Sequence, residues 1–198
     1  MKTKTINIHS FKELSEESKE KAINNFHDIN TYYGWWDCVY ENCVVIGKII
    51  GIDINIIYFS GFSGQGDGAC FEGSYQYKKG GLKALIDYAP QDEELHYIAK
   101  NLQSTQRKAF YQLTANVKHR GHYYHELCTY INIRDERDYH FLDDDLEEEI
   151  KDELRSFMQW IYGKLEKEYE WLTSKEAIIE SIEANEYTFK SNGELENL

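Results

Sequence analysis

Ile54-Asn55-Ile56-Ile57-Tyr58-Phe59, followed by Ser60-Gly61-Phe62-Ser63-Gly64-Gln65-Gly66-Asp67-Gly68-Ala69 and then Cys70-Phe71-Glu72-Gly73-Ser74-Tyr75-Gln76-Tyr77, decides the fold class. Two β-branched and aromatic runs flank a glycine cluster, the pattern of two antiparallel strands joined by a turn at Ser63–Gly68. A second hairpin follows downstream. Tyr111, Leu113, Ala115 and Val117 alternate as one strand, Arg120-Gly121 supplies the turn, and His122–Ile133 runs back as its partner.

Helical spacing surrounds these hairpins. Ser15 is placed to cap a helix with Glu16 and Glu17 in its first turn and Ala22, Ile23 and Phe26 on its apolar stripe. A second helix is expected from about Trp35 to Ile50, with Gly51 ending it. Leu82–Tyr88 predicts a helix stopped at Pro90, and Leu95, Ile98, Ala99 and Leu102 mark the next. From Leu142 to Leu172 apolar residues step by four and three, one long amphipathic face. Thr173 with Glu176 reads as a capping box for a final helix. Thr3–Ile8 reads as a short opening strand, Glu186–Lys190 as an edge strand, and the tail after Asn192 as loose. The expected fold is α+β: one domain over residues 1–198, antiparallel β-hairpins packed against several helices, with a long C-terminal amphipathic helix.

Composition narrows the setting. The chain has 198 residues, and no apolar run approaches the roughly 18 residues of a membrane span. The N-terminus has a basic start without an apolar segment behind it, so no secretory signal is expected. Cys38, Cys43, Cys70 and Cys128 have no metal-like or scaffold-like spacing and read as free thiols of a reducing, cytoplasmic compartment. The net charge is -13, and Met1–Arg134 holds 15 acidic and 15 basic residues. The whole imbalance therefore sits in the acidic helical third, residues 135–198. Such a surface repels nucleic acid and attracts basic partners, or imitates a phosphate backbone. The 16 tyrosines suit strands and also recognition surfaces.

Four stretches are candidates for function. In the glycine-rich turn, bare N–H groups could cradle a ligand, with Gln65 and Asp67 as the polar candidates; a hairpin turn needs the same glycines for geometry alone. Lys118, His119, Arg120, His122 and Tyr123 could meet an anion or an acidic surface. His119, His122 and His125 are candidates for a metal, opposed by strand geometry, which sends His122 and His125 to opposite faces. Asp143, Asp144 and Asp145 with Glu147, Glu148 and Glu149 open the long helix, where the dipole favours them; they form either a solvated face or a docking patch. The pair Trp35-Trp36 is either packed or an interface marker. No cofactor is expected.

The segment Phe59-Ser60-Gly61-Phe62 with Gln65-Gly66-Asp67-Gly68-Ala69-Cys70-Phe71-Glu72-Gly73 resembles a family of uncharacterised tailed-phage and prophage proteins, sometimes labelled antitoxin-like. Trp35-Trp36-Asp37, Tyr88–Asp92, Lys118–His125 and Ile182–Tyr187 carry the same resemblance. That family usually has a tryptophan where this loop has Ser63-Gly64. The resemblance implies a bacterial host cytoplasm and work against host systems. The leading expectation is a non-enzymatic binding protein that inhibits a host defence complex in the manner of an anti-CRISPR. Its acidic surface would face a basic, nucleic-acid-binding region of that complex, with no direct nucleic acid and no membrane involved. Sequestration of a nucleotide signal, a metal-dependent hydrolase and an antitoxin are the alternatives.

Overall fold

The computed structural model describes residues 7–137 and 143–196. In chain order the strands and helices are β1 (His9–Ser10), α1 (Glu16–Asn25), α2 (Asp37–Ile50), β2 (Ile52–Ser60), β3 (Gly68–Gln76), α3 (Gly81–Tyr88), α4 (Glu93–Lys108), β4 (Leu113–His119), β5 (Thr129–Asp135), α5 (Asp144–Leu172), α6 (Lys175–Ala184) and β6 (Thr188–Phe189). Short 3-10 turns lie at Phe11–Glu13 and Glu126–Cys128. The fold is α+β with antiparallel sheets and a long C-terminal helix. Contacts divide the chain into two compact units, Met1–Trp36 with Lys167–Leu198, and Asp37–Glu166.

In the larger unit β2-β3-β4-β5 form one antiparallel sheet in sequence order. Alternation gives it two unlike faces. Ile52, Phe71, Tyr75, Leu113, Val117 and Ile131 are buried, whereas Ser74, Gln76, Asn116, Lys118, Tyr130 and Arg134 are exposed. Ile150, Leu154, Phe157, Met158, Ile161 and Leu165 of α5 are buried, and the Phe157 ring meets Phe71 edge-on at 6.1 Å. Gly51 joins α2 to β2 at φ +90°, where an added Cβ would stand 2.0 Å from the Gln76 carbonyl oxygen, so no other residue fits.

The strand expected from Tyr111 begins at Leu113 instead. Phe110 and Tyr111 both have positive φ, a conformation no strand contains. The buried Gln106 side chain closes this turn, bonding the Leu113 carbonyl at 2.7 Å and accepting from the Leu113 N–H at 3.2 Å. The expected return strand from His122 also starts late, at Thr129, for a reason given below.

In the smaller unit β1 pairs with β6 over a core of Phe11, Leu14, Ala22, Ile23, Ile178, Ile182 and Phe189. The expected opening strand shifts: residues 3–6 lie outside the described residues, Asn7 and Ile8 are irregular, and pairing starts at His9. Ser15 caps α1 as its position implies. The cap of α6 is Ser174, not Thr173, whose hydroxyl donates back to the Tyr169 carbonyl at 2.8 Å. The tail is also more ordered than its composition suggests. Lys190 N–H donates to the Glu194 carbonyl, Leu195 bridges Phe189, and Gly193 lies directly on the Ser18 carbonyl.

Candidate functional site

The two hairpin tips of the larger unit form a single structure. β2 and β3 stay paired out to Ser60 and Gly68, but the β3–β4 register runs only from Gly73↔Val117 to Gln76↔Thr114. Beyond it the strands part, and the loop 120–128 lies against the 68–72 end of β3. A Cβ on Gly68 would come 2.6 Å from the His125 Cα, and one on Gly66 (φ +93°) 2.5 Å from the Tyr123 ring. This is why residues 122–128 are not a strand: the segment fills the gap and does not extend the ladder. The Glu72 carboxylate spans the opening, accepting from the His119 N–H and the Lys118 ammonium, each at 3.2 Å. That contact with Lys118 holds its carboxyl below the ordinary range.

Aromatic rings and α5 hold the tips in place. Tyr124 stacks on Tyr58 at 5.3 Å, and His119 lies 4.9 Å from the Tyr58 ring. From α5, Tyr162 donates to the Gly61 carbonyl at 3.2 Å and Gln159 to Glu126 at 3.0 Å.

The candidate residues divide into those spent on architecture and those left exposed. Asp67 accepts from the N–H groups of Ser63 (2.9 Å) and Gly64 (2.6 Å), so its carboxylate braces the turn. Lys118 is bound to Glu72. The His119 ring meets the Tyr123 carbonyl at 2.9 Å. Gln65, Arg120 and His122 are exposed, as are Tyr123 at 55% and Leu127 at 66%.

Chemistry at this site is constrained by the histidines. Among the described residues no group of three or more His, Cys, Asp or Glu side chains converges as a metal site. His125 and Cys128 stand 3.3 Å apart, nitrogen to sulfur, which suggests a thiol–imidazole pair. However, His125 Nδ1 accepts the Leu127 N–H at 3.2 Å. The neutral ring therefore carries its proton on Nε2 and points it at the sulfur, so it cannot take the thiol proton as a base must. Nearby, burial pushes the Cys70 thiol up to about 12, with the charges of Cys128, Glu72 and Glu126 adding to it.

The acidic run is partly neutralised within the fold. Glu147 and Glu148 pair with Lys151, Glu148 also with Arg155, and Glu149 with Lys108 at 2.6 Å. Asp143, Asp144 and Asp145 remain exposed, and Asp143 accepts from the Asp145 N–H. Fifteen residues of helix separate Asp144 from Gln159, about 22 Å at 1.5 Å per residue. Acidic end and hairpin tips are thus separate surfaces. In the smaller unit Trp35 lies 5.7 Å from Trp36 and 5.5 Å from Tyr169, while Tyr33 is 91% exposed.

Sequence reasoning passed over Tyr58, Glu72, Gln159 and Tyr162 as parts of the site. Tyr58 and Glu72 had a signal in strand parity. Gln159 and Tyr162 had none, because only the packing of α5 brings them to the loops.

The model of a family described as a domain of unknown function (DUF8835) matches residues 35–175. No curated protein and no solved structure matches the chain.

Proposed function

The chain belongs to the DUF8835 family, and we propose that it is a non-enzymatic binding protein that docks a macromolecular partner with its joined hairpin tips. One observation carries this reading: two loops far apart in sequence are locked together by Gly66 and Gly68 against Tyr123 and His125, with Arg120, His122, Tyr123 and Leu127 left facing solvent. Tyrosine and arginine on a rigid support are the side chains that dominate interface energetics. The bonding of His125 argues against a hydrolase that uses Cys128.

The resemblance to phage proteins supports a partner in the bacterial host, and inhibition of a host defence complex remains our reading of the purpose. The acidic surface has a smaller part in it than its charge suggests, since Glu147, Glu148 and Glu149 are already ion-paired. The test is affinity capture from host lysate with three full-length baits: wild type, Arg120→Glu with Tyr123→Ala, and Asp143→Lys with Asp144→Lys and Asp145→Lys. We expect the tip variant to lose its partner, by roughly 30-fold or more for a 2 kcal/mol interface residue, and the helix variant to keep it. Capture that survives the tip changes but is lost with the lysines would replace this reading by the acidic-mimic one.

A further inference from the structure

On the face turned away from α5, the β2–β5 sheet carries Ser74 and Gln76 from β3, Thr114 and Asn116 from β4, and Asn132 and Arg134 from β5. Strand parity puts them all on one side. The register sets them in two rows across the strands. Ser74 lies beside Asn116 and Asn116 beside Asn132; Gln76 lies beside Thr114 and Thr114 beside Arg134. Opposed side chains in such rows stand about 5 Å apart, and successive rows about 7 Å apart. With Glu136 they line a shallow groove of about 380 Å³, toward the small end of the range for ligand sites.

The side chains of this groove share one kind of chemistry. Gln76, Asn116, Asn132, Arg134 and Glu136 all end in planar polar groups. Among the described residues, the side chains of Ser74, Gln76, Asn116, Asn132 and Arg134 make no hydrogen bond or ion pair. The Thr114 hydroxyl donates to Glu136 Oε1 at 2.8 Å, which positions that carboxylate and leaves its second oxygen to accept. An amide offers a donor and an acceptor side by side, a guanidinium a fork of donors, and a carboxylate two acceptors. The ligand that matches this set has neighbouring groups that each donate and accept, as the adjacent hydroxyls of a sugar do.

Charge narrows the class further. Arg134 and Glu136 cancel, and Lys118 farther along the same face is bound to Glu72. A nucleic-acid backbone requires a track of unpaired cations, and a protein interface an apolar or aromatic centre. The exposed side chains of the groove supply neither. One step along β5 from Asn132, Tyr130 is 57% exposed on the same face. Its ring offers a flat apolar surface with a polar tip, suited to the C–H side of a sugar.

We propose that this groove binds a neutral carbohydrate. Gln76, Asn116 and Asn132 take pairs of ring hydroxyls, Arg134 and Glu136 close one end, and Tyr130 stacks at the other. The groove lies at the opposite end of β4 and β5 from the loop 120–128, so it is a second site, independent of the docking surface at the tips.

The test is an NMR titration of the isotope-labelled full chain with neutral trisaccharides of glucose, galactose, mannose and N-acetylglucosamine, in α- and β-linked forms. At least one should shift the side-chain amide signals of Gln76, Asn116 and Asn132, with a Kd of about 1 mM, as expected of a shallow site. Asn116→Ala and Asn132→Ala, checked for folding by circular dichroism, should each weaken binding about tenfold or more. Tyr130→Phe should retain the binding that Tyr130→Ala loses. Arg120→Glu with Tyr123→Ala should bind the sugar as wild type does; the tip reading itself is decided by lysate capture and not by this titration. Silence across the whole panel overturns the proposal. So do shifts produced by glucuronate or decathymidylate in place of neutral sugars, or sugar binding that the tip variant loses and the Asn116 and Asn132 variants keep.

Discussion

Glu153 on α5 is a carboxylate this fold accommodates poorly, and replacing it with glutamine should raise stability at neutral pH. Its Oε1 accepts from Asn101 at 2.8 Å, but its Oε2 is buried with no hydrogen-bond partner. Burial raises its pKa, and the charges of Asp152 and Glu149 raise it further. Lys108, the nearby cation from α4, is already bound to Glu149. Glutamine keeps an acceptor for Asn101 and puts a donor where the unpartnered oxygen stood, with carboxylates beside it. A buried unsatisfied acceptor costs about 1–2 kcal/mol, which for a chain of this size is a rise in melting temperature of roughly 3–6 °C. The sign with pH follows from the raised pKa. The penalty is present above the folded-state pKa of Glu153 and vanishes below the unfolded value, where the carboxyl is protonated in both states. Thermal unfolding of wild type and Glu153→Gln from pH 7 down to pH 4 should show a gap that closes with acid. A variant less stable than wild type at pH 7, or a gap that does not depend on pH, would refute the reasoning.

Other substitutions address the tips and the caps. Gly68→Ala must displace the His125 backbone and should cost about 1–3 kcal/mol in denaturant unfolding, with Tyr123 more mobile by NMR. Ser174→Ala should cost about 1 kcal/mol by losing the cap on Ala177 N–H, and Thr173→Ala distinctly less. The native protein should react quickly with a thiol reagent at exposed Cys38 and very slowly at Cys43 and Cys70, whose thiols burial pushes up to about 12. Fast labelling at Cys70 would mean that the loop 120–128 opens readily.

How much could be read in advance follows the range of each interaction. The first hairpin, the helices and the cap at Ser15 were legible, because alternation, 3.6-residue spacing and capping act within a few residues. The start of β4 was not, since Tyr111 alternates correctly with Leu113 and only the positive φ that Gln106 helps hold removes it from the strand. The cap of α6 was misplaced by one residue for a similar reason: Thr173 and Ser174 are both good caps, and the Tyr169 carbonyl takes the threonine hydroxyl.

The candidate site shows the same division. The two loops could be singled out from the sequence as candidates, because glycine clusters and runs of histidine, arginine and tyrosine are local features, whereas Gln159 and Tyr162 of α5 could not. The roles of the loop residues could not be read either. Asp67 turned inward to its own loop, Lys118 went to Glu72, and the acidic run met Lys108, Lys151 and Arg155. Sequence by itself determined the first hairpin, the helices and the class of fold. Tertiary structure decided that β3 and β4 part beyond Gly73 and that the second tip fills the gap beside the first. Those outcomes depend on the register of strands dozens of residues apart and on the packing of α5, and no local periodicity encodes either.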